Sequence, residues 1–218
     1  MVSLAQIATP GLVFEEETHR YMLDGRELPS VTQVLADNGL RNSFLNVRPD
    51  VLERARQRGA AVHAATHYHD EGDLNESTVD PVVAPYLEAW KAFLKERQVE
   101  ILALEQRIAD PLYGVCGTID RIARAPGVRG EIVIDIKSGD ASGVAYQLAA
   151  YKHLAANLKP LVTNGFILNR WAVHLHPDRA VPYTVTAYRD RRDREVFLAA
   201  LTLTHERARL GRSWRQAA

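Results

Sequence analysis

The sequence has little of several features that would mark a special class of protein. It contains one cysteine, Cys116, among 218 residues, which excludes an internal disulfide and suits a reducing cytoplasm, where we expect the protein to act. No apolar run approaches the ~20 residues that a membrane-spanning helix needs, and the N-terminus lacks a basic-then-apolar signal pattern. We therefore expect no membrane partner.

The chain also lacks an excess of either charge, with 27 Lys+Arg against 27 Asp+Glu residues. This balance speaks against a protein that coats nucleic acid through overall basicity, although it allows a local basic groove. We find no internal repeat and no low-complexity tract. Because 46% of the residues are hydrophobic and 25% are charged, the composition is typical of a globular chain, and we expect residues 1–218 to form a single domain.

Periodicity and turn residues divide the chain into two blocks. Residues 11–98 are predicted to form a hairpin at 11–28 and helices at 31–38, 50–70 and 80–98. Residues 99–218 are predicted to form strands at 100–108, 113–125 and 131–138, a helix at 143–158, strands near 164–173 and 180–188, and a helix at 191–211. The β-β-β-α-β-β order predicts an α/β fold with a mixed β-sheet core, flanked by helices and preceded by a helical N-terminal block.

Two acids and a lysine lie on two of these neighbouring strands. Asp135 and Lys137 are two residues apart, so the pleat of a strand points both side chains to one face. The stretch Glu131-Ile-Val-Ile-Asp-Ile-Lys137 is otherwise apolar, and charges buried there cost several kcal/mol unless they are paired or bound to a metal. Asp120 on the preceding strand supplies a second carboxylate. This arrangement indicates a catalytic rather than a structural role for these charged residues.

The chemistry that suits this set is metal-assisted hydrolysis of a phosphodiester. Asp120, Asp135 and the backbone carbonyl of Ile136 are hard oxygen donors of the kind that Mg²⁺ or Mn²⁺ prefers. Lys137 would activate or position the attacking water, or balance charge in the transition state. The structural alternative is a buried Asp–Lys ion pair beside an unrelated aspartate, because a lone D-x-K occurs by chance in many proteins. The neighbouring motifs make that alternative weaker.

Those motifs carry a resemblance to a known family. Gly117-x-x-Asp120, Asp135-x-Lys137 and Gln147-x-x-x-Tyr151 resemble the PD-(D/E)xK nuclease superfamily, and more narrowly its RecB-like exonuclease branch of phage-type and mitochondrial single-chain enzymes. Arg58-Gly59-x-x-x-His63 fits the helix of that branch that carries a histidine. The segment from Phe14 to Thr32 is similar to the start of phage-type and mitochondrial members.

The resemblance implies a restriction-endonuclease-like core and a metal-dependent DNA exonuclease that leaves 5′-phosphates, in recombination or DNA repair. It implies Mg²⁺ or Mn²⁺ as cofactor, linear DNA ends, single- or double-stranded, as substrate, and allows a single-strand annealing or binding protein as partner. Cys116 is the only cysteine, so the four-cysteine iron–sulfur cluster of several relatives is excluded.

The resemblance also assigns roles to residues whose sequence context allows a plainer interpretation. His63 and Glu105 would complete the metal shell of Asp120 and Asp135. His63 could instead be a structural or solvated helix residue, and Glu105 a solvent-facing strand residue. Glu131 is predicted to lie at the surface.

The remaining assignments concern two helices and a helix start. Gln147 would hydrogen-bond a catalytic carboxylate or the DNA backbone with Tyr151 beside it, although two residues four apart also make an ordinary helix-surface pair. Two further pairs are predicted to contact DNA, with N-capping as the alternative for the first: Ser30 and Thr32, and Arg54 and Arg58.

Two other functions stay open at this point. One is a structure-specific or foreign-DNA endonuclease on the same scaffold, and the other is a binding or assembly module with a vestigial site. The intact set of Asp120, Asp135 and Lys137 argues against the second. The sequence leaves open the polarity of digestion, the preference for single or double strands or for DNA over RNA, and the oligomeric state.

Overall fold

A computed structural model describes residues 9–15, 18, 20–42, 44, 47–156 and 168–211. Positions 157–158 of one predicted helix and 164–167 of one predicted strand lie outside the described residues. All of the predicted site residues lie within them.

The N-terminal part begins with a small antiparallel sheet of three strands, in which each strand pairs with the next. They are β1 (Leu12–Glu15), β2 (Arg20–Leu23) and β3 (Arg26–Leu28). The predicted Asp24-Gly25 turn joins β2 to β3, and both of its residues have positive φ, 48° and 79°, as a two-residue hairpin turn requires. The predicted hairpin is therefore the second half of this sheet, and β1 extends it.

Three helices follow: α1 (Val31–Asp37), α2 (Pro49–Glu71) and α3 (Ala84–Arg97), with a short 3₁₀ helix (Glu76–Thr78) before α3. Pro49 opens α2 and Gly72 ends it in the left-handed conformation, so both predicted boundary signals act as expected. Helix α3 begins later than the predicted residue 80, because the Asp80 carboxylate accepts the Val82 N–H and holds residues 80–83 in a turn.

The main sheet contains five strands in chain order: β4 (Glu100–Asp110), β5 (Val115–Arg124), β6 (Glu131–Lys137), β7 (Leu168–Leu175) and β8 (Tyr183–Ala187). All neighbours are antiparallel except β6 and β7, which α4 (Val144–Ala155) connects in parallel. Helix α5 (Arg192–Arg209) ends the described chain. This mixed sheet with flanking helices confirms the predicted α/β, restriction-endonuclease-like fold class.

Helices cover both faces of the main sheet. On one face, side chains of α1, α4 and α5 share a core with Val133 of β6; on the other, side chains of α2 and α3 pack on Ile132, Ile134 and Ile136. Burying each such branched side chain contributes about 1.5–3 kcal/mol, so β6 is held firmly from both sides. Asp135 alternates with these isoleucines and therefore points toward α4. Among the described helices, none combines the length and apolarity needed to cross a bilayer.

Candidate active site

Asp120 lies where β5 and β6 stop pairing. The last ladder pair is Arg121 with Ile134, and beyond it the Asp120 carboxylate accepts the backbone N–H of Ile136 at 2.9 Å. This bond replaces a missing ladder bond and fixes one carboxylate oxygen at the mouth of the gap between the strands. The two strands thus present the acids of both motifs side by side.

Asp135 and Lys137 lie on one face of β6, as the pleat predicted, and form an ion pair. Lys137 Nζ lies 2.8 Å from Asp135 Oδ2, and the Asp135 residue is 1% exposed. Burial raises the pKa of Asp135 and repulsion from Asp120 raises it further, while Lys137 acts in the opposite direction. The pair is close enough that Lys137 compensates part, and only part, of the buried negative charge.

The remaining motif residues position this lysine. Gln147 Oε1 accepts a hydrogen bond from Lys137 Nζ at 3.2 Å, and Gln147 Nε2 donates to the Tyr151 hydroxyl at 3.0 Å. A Cβ placed on Gly117 would approach the Tyr151 ring to 3.0 Å, so glycine at that position lets the ring lie against β5. The chain of contacts from Gly117 to Lys137 therefore explains why these residues occur together.

A group of potential metal ligands lies next to this pair. One ligand atom each from His63, Glu105 and Asp120 lies within 4.8 Å of the others. His63 Nδ1 is 3.6 Å from Asp120 Oδ2. Asp135, whose carboxylate contacts Lys137, does not belong to this group. Metal ligation by any of these residues stays a prediction.

Glu105 reaches the group through an unusual backbone. Its φ of 43° lies in the left-handed region, which costs a residue with a Cβ about 1–2 kcal/mol. It stands between the ladder pairs that Leu104 and Gln106 make with β5, opposite Asp120. Burial, followed by repulsion from Asp120, raises the pKa of Glu105 to about 7. Strain and repulsion of this kind are typical of a functional position.

Beneath this group lies a second set of charges that the sequence did not predict. Arg121 is fully buried and donates from Nε to Asp70 Oδ2 at 2.7 Å and from a terminal nitrogen to Glu105 at 3.3 Å. The guanidinium also donates to the Asp120 carbonyl and the Thr66 hydroxyl. Trp90 completes the cluster, since its indole N–H donates to Asp70 and its ring lies 5.8 Å from the guanidinium carbon.

This cluster fixes α2 and α3 to the strand that carries Asp120. Asp70 lies on α2 two turns after His63, so the Arg121–Asp70 contact sets where His63 faces the sheet. The available signal was an arginine on a predicted strand next to Ile122 and Ala123, where a buried cation requires a partner. Its partner on a distant helix could not be identified from local sequence.

The predicted DNA-binding residues separate into two groups. Ser30 caps α1 by accepting the Gln33 N–H, so the N-capping alternative holds for it, and its hydroxyl lies 3.1 Å from that of Thr32. Both residues also line a cavity of about 310 Å³ that reaches Glu105 and Asp120. We name it the first cavity.

The arginines of α2 lie elsewhere. Arg54 pairs with Asp50 on the exposed side of the helix, at 2.8 Å. Arg58 lies over the Tyr86 ring, 6.0 Å from its centroid. Neither arginine lines the first cavity.

The predicted surface position of Glu131 is wrong. Glu131 is 2% exposed, and Arg124 donates to its carboxylate at 2.7 Å from the other side of the turn that joins β5 to β6. The partner lets this acid be buried at the start of β6.

A larger cavity of about 630 Å³, lined by Lys152, Arg170 and Arg191 among others, contains none of the predicted site residues. It therefore does not bear on the candidate active site.

Among the comparisons with known proteins, one likeness to a solved structure bears on the fold. No family model and no curated protein matches the chain. A crystal structure from Eubacterium rectale, provisionally described as an exonuclease, is similar with a TM-score of 0.53 and 13% identity, covering 85% of this chain and 82% of that one. The alkaline exonuclease LHK-Exo from Laribacter hongkongensis has a TM-score of 0.34 and 14% identity, covering 83% and 93%. The Eubacterium rectale likeness supports the fold assignment.

Proposed function

We propose that the protein is a metal-dependent deoxyribonuclease, and more narrowly an exonuclease of the RecB-like branch. The observation that carries the proposal is the group of His63, Glu105 and Asp120, with ligand atoms within 4.8 Å, beside the buried Asp135–Lys137 pair. A histidine nitrogen and carboxylate oxygens around one point suit a divalent cation. The fold of an exonuclease-described protein supports the same conclusion.

The donor set fits Mg²⁺ or Mn²⁺ on charge as well as on ligand type. Burial, followed by repulsion from Asp120, raises the pKa values of Glu105 and Asp135, and Lys137 is paired with Asp135. His63, Glu105 and Asp120 would hold the ion, with Asp135 and the Ile136 carbonyl as further oxygen donors. When bound, such an ion supplies positive charge to the phosphate oxygens and lowers the pKa of water.

The chain's own residues then orient the reaction. Lys137, held by Asp135 and Gln147, would direct the attacking water toward phosphorus and stabilise negative charge in the transition state. The bond from phosphorus to the 3′-oxygen breaks, so the phosphate stays on the 5′ side of the next nucleotide. Tyr151 and Gln147 keep the lysine in place, and Ser30 and Thr32 would contact the DNA strand in the first cavity.

We further propose that residues 1–218 form one nuclease domain that acts on linear DNA in recombination or repair. A digest of end-labelled linear DNA, single- and double-stranded, with Mg²⁺, Mn²⁺ or EDTA tests the activity. We expect cleavage with either metal, none with EDTA, and 5′-phosphate products.

A closed circular single strand in the same reaction separates the modes of attack. An exonuclease leaves the circle intact. Cutting of the circle would reject the exonuclease and favour the endonuclease alternative. Absence of any cleavage by the wild type, with DNA binding retained, would favour the silent binding module.

A further inference from the structure

A cavity of about 630 Å³ lies between α4, the start of β7 and the connection from β8 to α5. We name it the basic cavity, and the lining residues that matter here are Lys152, Arg170, Arg189, Asp190, Arg191 and Arg194. It shares no described lining residue with the first cavity, and none of the predicted site residues lines it. Its volume is in the middle of the range of roughly 300–1,000 Å³ for small-molecule sites, so it can hold a ligand of about nucleotide size.

The lining of the basic cavity carries more positive than negative charge. The described lining has four arginines and one lysine, against two acids. One of the arginines, Arg170, is matched by Asp193 at 2.9 Å, so four cations remain against the two acids, and all four are exposed. His153 adds no charge near pH 7, because burial and then Arg194 lower its pKa from the ordinary 6.5. The cavity therefore attracts an anion.

Lys152 and two of the arginines lie close enough to repel one another. The pKa of Lys152 is lowered, first by partial burial and then by the positive charges of Arg170 and Arg191. Within the part of the chain that the structure describes, no carboxylate lies within ion-pair distance of Lys152 or Arg191. Like charges without a counter-ion are more typical of a binding site than of a stabilising cluster. An anion between them would remove the repulsion.

The position of Arg191 is fixed by a buried neighbour. Arg170 is 6% exposed; it donates to the Asp190 carbonyl at 2.7 Å, just before Arg191, and pairs with Asp193 just after it. The same guanidinium donates to the Ala145 carbonyl of α4 at 3.2 Å. Arg170 therefore holds the connection from β8 to α5 against α4, and the backbone of Arg191 is in place before any ligand binds. Such preorganisation lowers the cost of binding.

A phosphate group suits this arrangement better than a carboxylate does. A phosphomonoester carries about 1.5 to 2 negative charges at pH 7 and three acceptor oxygens, which the planar guanidinium of arginine can meet with two parallel hydrogen bonds. The limited volume and the separation from the first cavity favour a small molecule over a nucleic-acid strand. We propose that the basic cavity binds a small phosphorylated molecule of about nucleotide size, through its phosphate group, at Arg191 and Lys152. The site needs neither a metal nor the acids of the candidate active site, so this inference does not depend on the proposed function.

Three substitutions test the phosphate contact. Arg191→Gln removes the charge, and Arg191→Lys keeps the charge without the planar fork. Arg192→Gln is the matched control, since Arg192 is the next residue, is also exposed and does not line the basic cavity. The ligand-free Arg191→Gln variant should be as stable as the wild type or slightly more so, because one source of repulsion on Lys152 is removed. A thermal melt in phosphate-free buffer checks that the fold is retained.

The measurement is the Kd of three probes by isothermal titration calorimetry in EDTA: inorganic phosphate, adenosine monophosphate and glucose phosphate. We expect one molecule of each to bind per wild-type chain, and adenosine and glucose, which lack the phosphate, to bind at least about 10-fold more weakly. Arg191→Gln should weaken binding of the phosphorylated probes about 5- to 10-fold and Arg191→Lys should weaken it less, whereas Arg192→Gln should bind as the wild type does. A lower Kd for adenosine monophosphate than for glucose phosphate would indicate a nucleotide as the ligand, and the reverse order a sugar phosphate.

Several results would overturn the inference. Absence of binding by all three probes, or equal Kd values in the wild type and Arg191→Gln, would reject the basic cavity as their site. An equally large loss of affinity of Arg191→Gln for a labelled single strand would make the cavity a nucleic-acid contact instead. Cleavage of DNA by the wild type with Mn²⁺, measured in parallel, keeps the two proposals apart. Cleavage without probe binding would keep the nuclease and reject this site, and probe binding without cleavage would do the reverse.

Discussion

Two groups of charges lie next to each other around β5, and they are built in opposite ways. In the first, which we name the paired cluster, the Arg121 guanidinium meets the Asp70 carboxylate at 2.7 Å with both side chains at most 1% exposed. In the second, the acidic cluster of Glu105, Asp120 and Asp135, burial and then repulsion from Asp120 raise the pKa values of Glu105 and Asp135. The paired cluster thus has matched positive and negative charges, whereas the acidic cluster has more negative than positive charge.

The contrast separates charges that stabilise the fold from charges for which we propose a function. A buried ion costs several kcal/mol unless a partner and hydrogen bonds compensate it. Arg121 and Asp70 compensate each other and join α2 to β5, whereas the acidic cluster is left with an excess of negative charge that a divalent cation would balance. Arg121 touches both, because it also reaches Glu105 at 3.3 Å. The paired cluster therefore gives the acidic cluster a rigid base.

The largest effect should come from removing a charge in the acidic cluster. Asp120→Asn is expected to lower cleavage by about 10³-fold or more, because it weakens a metal ligand and the charge it contributes. Folding should be unchanged or slightly more stable, because one source of repulsion is removed. Cleavage rates at millimolar Mg²⁺ and a thermal melt in EDTA check both parts. Asp135→Asn should behave in the same way, and wild-type rates in either variant would reject the proposed centre.

The paired cluster should respond in the opposite sense. Asp70→Asn removes the closer counter-ion of the buried Arg121 guanidinium, leaving the partly exposed Glu105 at 3.3 Å, and is expected to destabilise the protein by about 3–5 kcal/mol. Asp50→Asn, which removes an acid from the exposed pairs with Arg48 and Arg54, is the control and should cost less than about 1 kcal/mol. Urea unfolding in EDTA measures both. Similarly small losses of unfolding free energy in both variants would show that the buried Arg121–Asp70 pair is no more stabilising than the exposed pairs of Asp50.

Features that depend on residues close together in the sequence could be predicted, and features that depend on contacts between distant elements could not. Asp135 and Lys137 share a face because of the pleat alone, and the order of strands and helices follows from hydrophobic period and turn residues. The contacts of Arg121 depend instead on how α2, α3 and β4 pack against β5. The positive φ of Glu105 could not be predicted, because positive φ is usually signalled by glycine and this residue is a glutamate. Glu131 is buried because Arg124 faces it across a turn, a pairing set by register.

Lys137 contacts the acidic cluster through Asp135. Its removal tests whether it contributes to DNA binding or to the chemical step. Lys137→Ala is expected to lower turnover about 10²-fold, because its charge acts on the transition state, while DNA affinity changes only a few-fold. Lys152→Ala, an exposed lysine on α4, should change neither. Single-turnover rates and Kd values for one labelled strand decide it. An equal loss in rate and affinity would make Lys137 a phosphate anchor.

His63 tests whether α2 contributes to the acidic cluster as a metal ligand. His63→Ala is expected to raise the Mn²⁺ concentration for half-maximal activity about 10-fold, because a neutral imidazole ligand is lost. Gln147→Ala should lower the rate with little change in that midpoint, since Gln147 contacts Lys137 and Tyr151 instead. His67→Ala, one turn along α2 and paired with Glu71, is the control. An unchanged midpoint in His63→Ala would restrict the ligands to carboxylates.

The smallest effect concerns the pH dependence of stability in the metal-free protein. The pKa of Glu105 is raised from its usual 4.5 to about 7 by burial and by Asp120, so the folded state binds a proton that the unfolded state has released between these values. Stability should therefore fall as pH rises from about 4.5 to about 7. Glu105→Gln cannot ionise and should flatten that slope, whereas Glu100→Gln, at the exposed start of the same strand, should leave it unchanged.

Solvent keeps this effect small, because the Glu105 side chain is 34% exposed and its repulsion is partly screened. Urea midpoints measured in EDTA across the pH range give the slope. Addition of Mn²⁺ should reverse the trend in the wild type, since the ion binds the carboxylate that the proton leaves, and the stabilisation should grow as pH rises through about 7. The Glu105→Gln variant should gain less from Mn²⁺ at every pH. A wild-type slope in Glu105→Gln would place the unbalanced charge on Asp120 and Asp135 alone, and remove Glu105 from the acidic cluster.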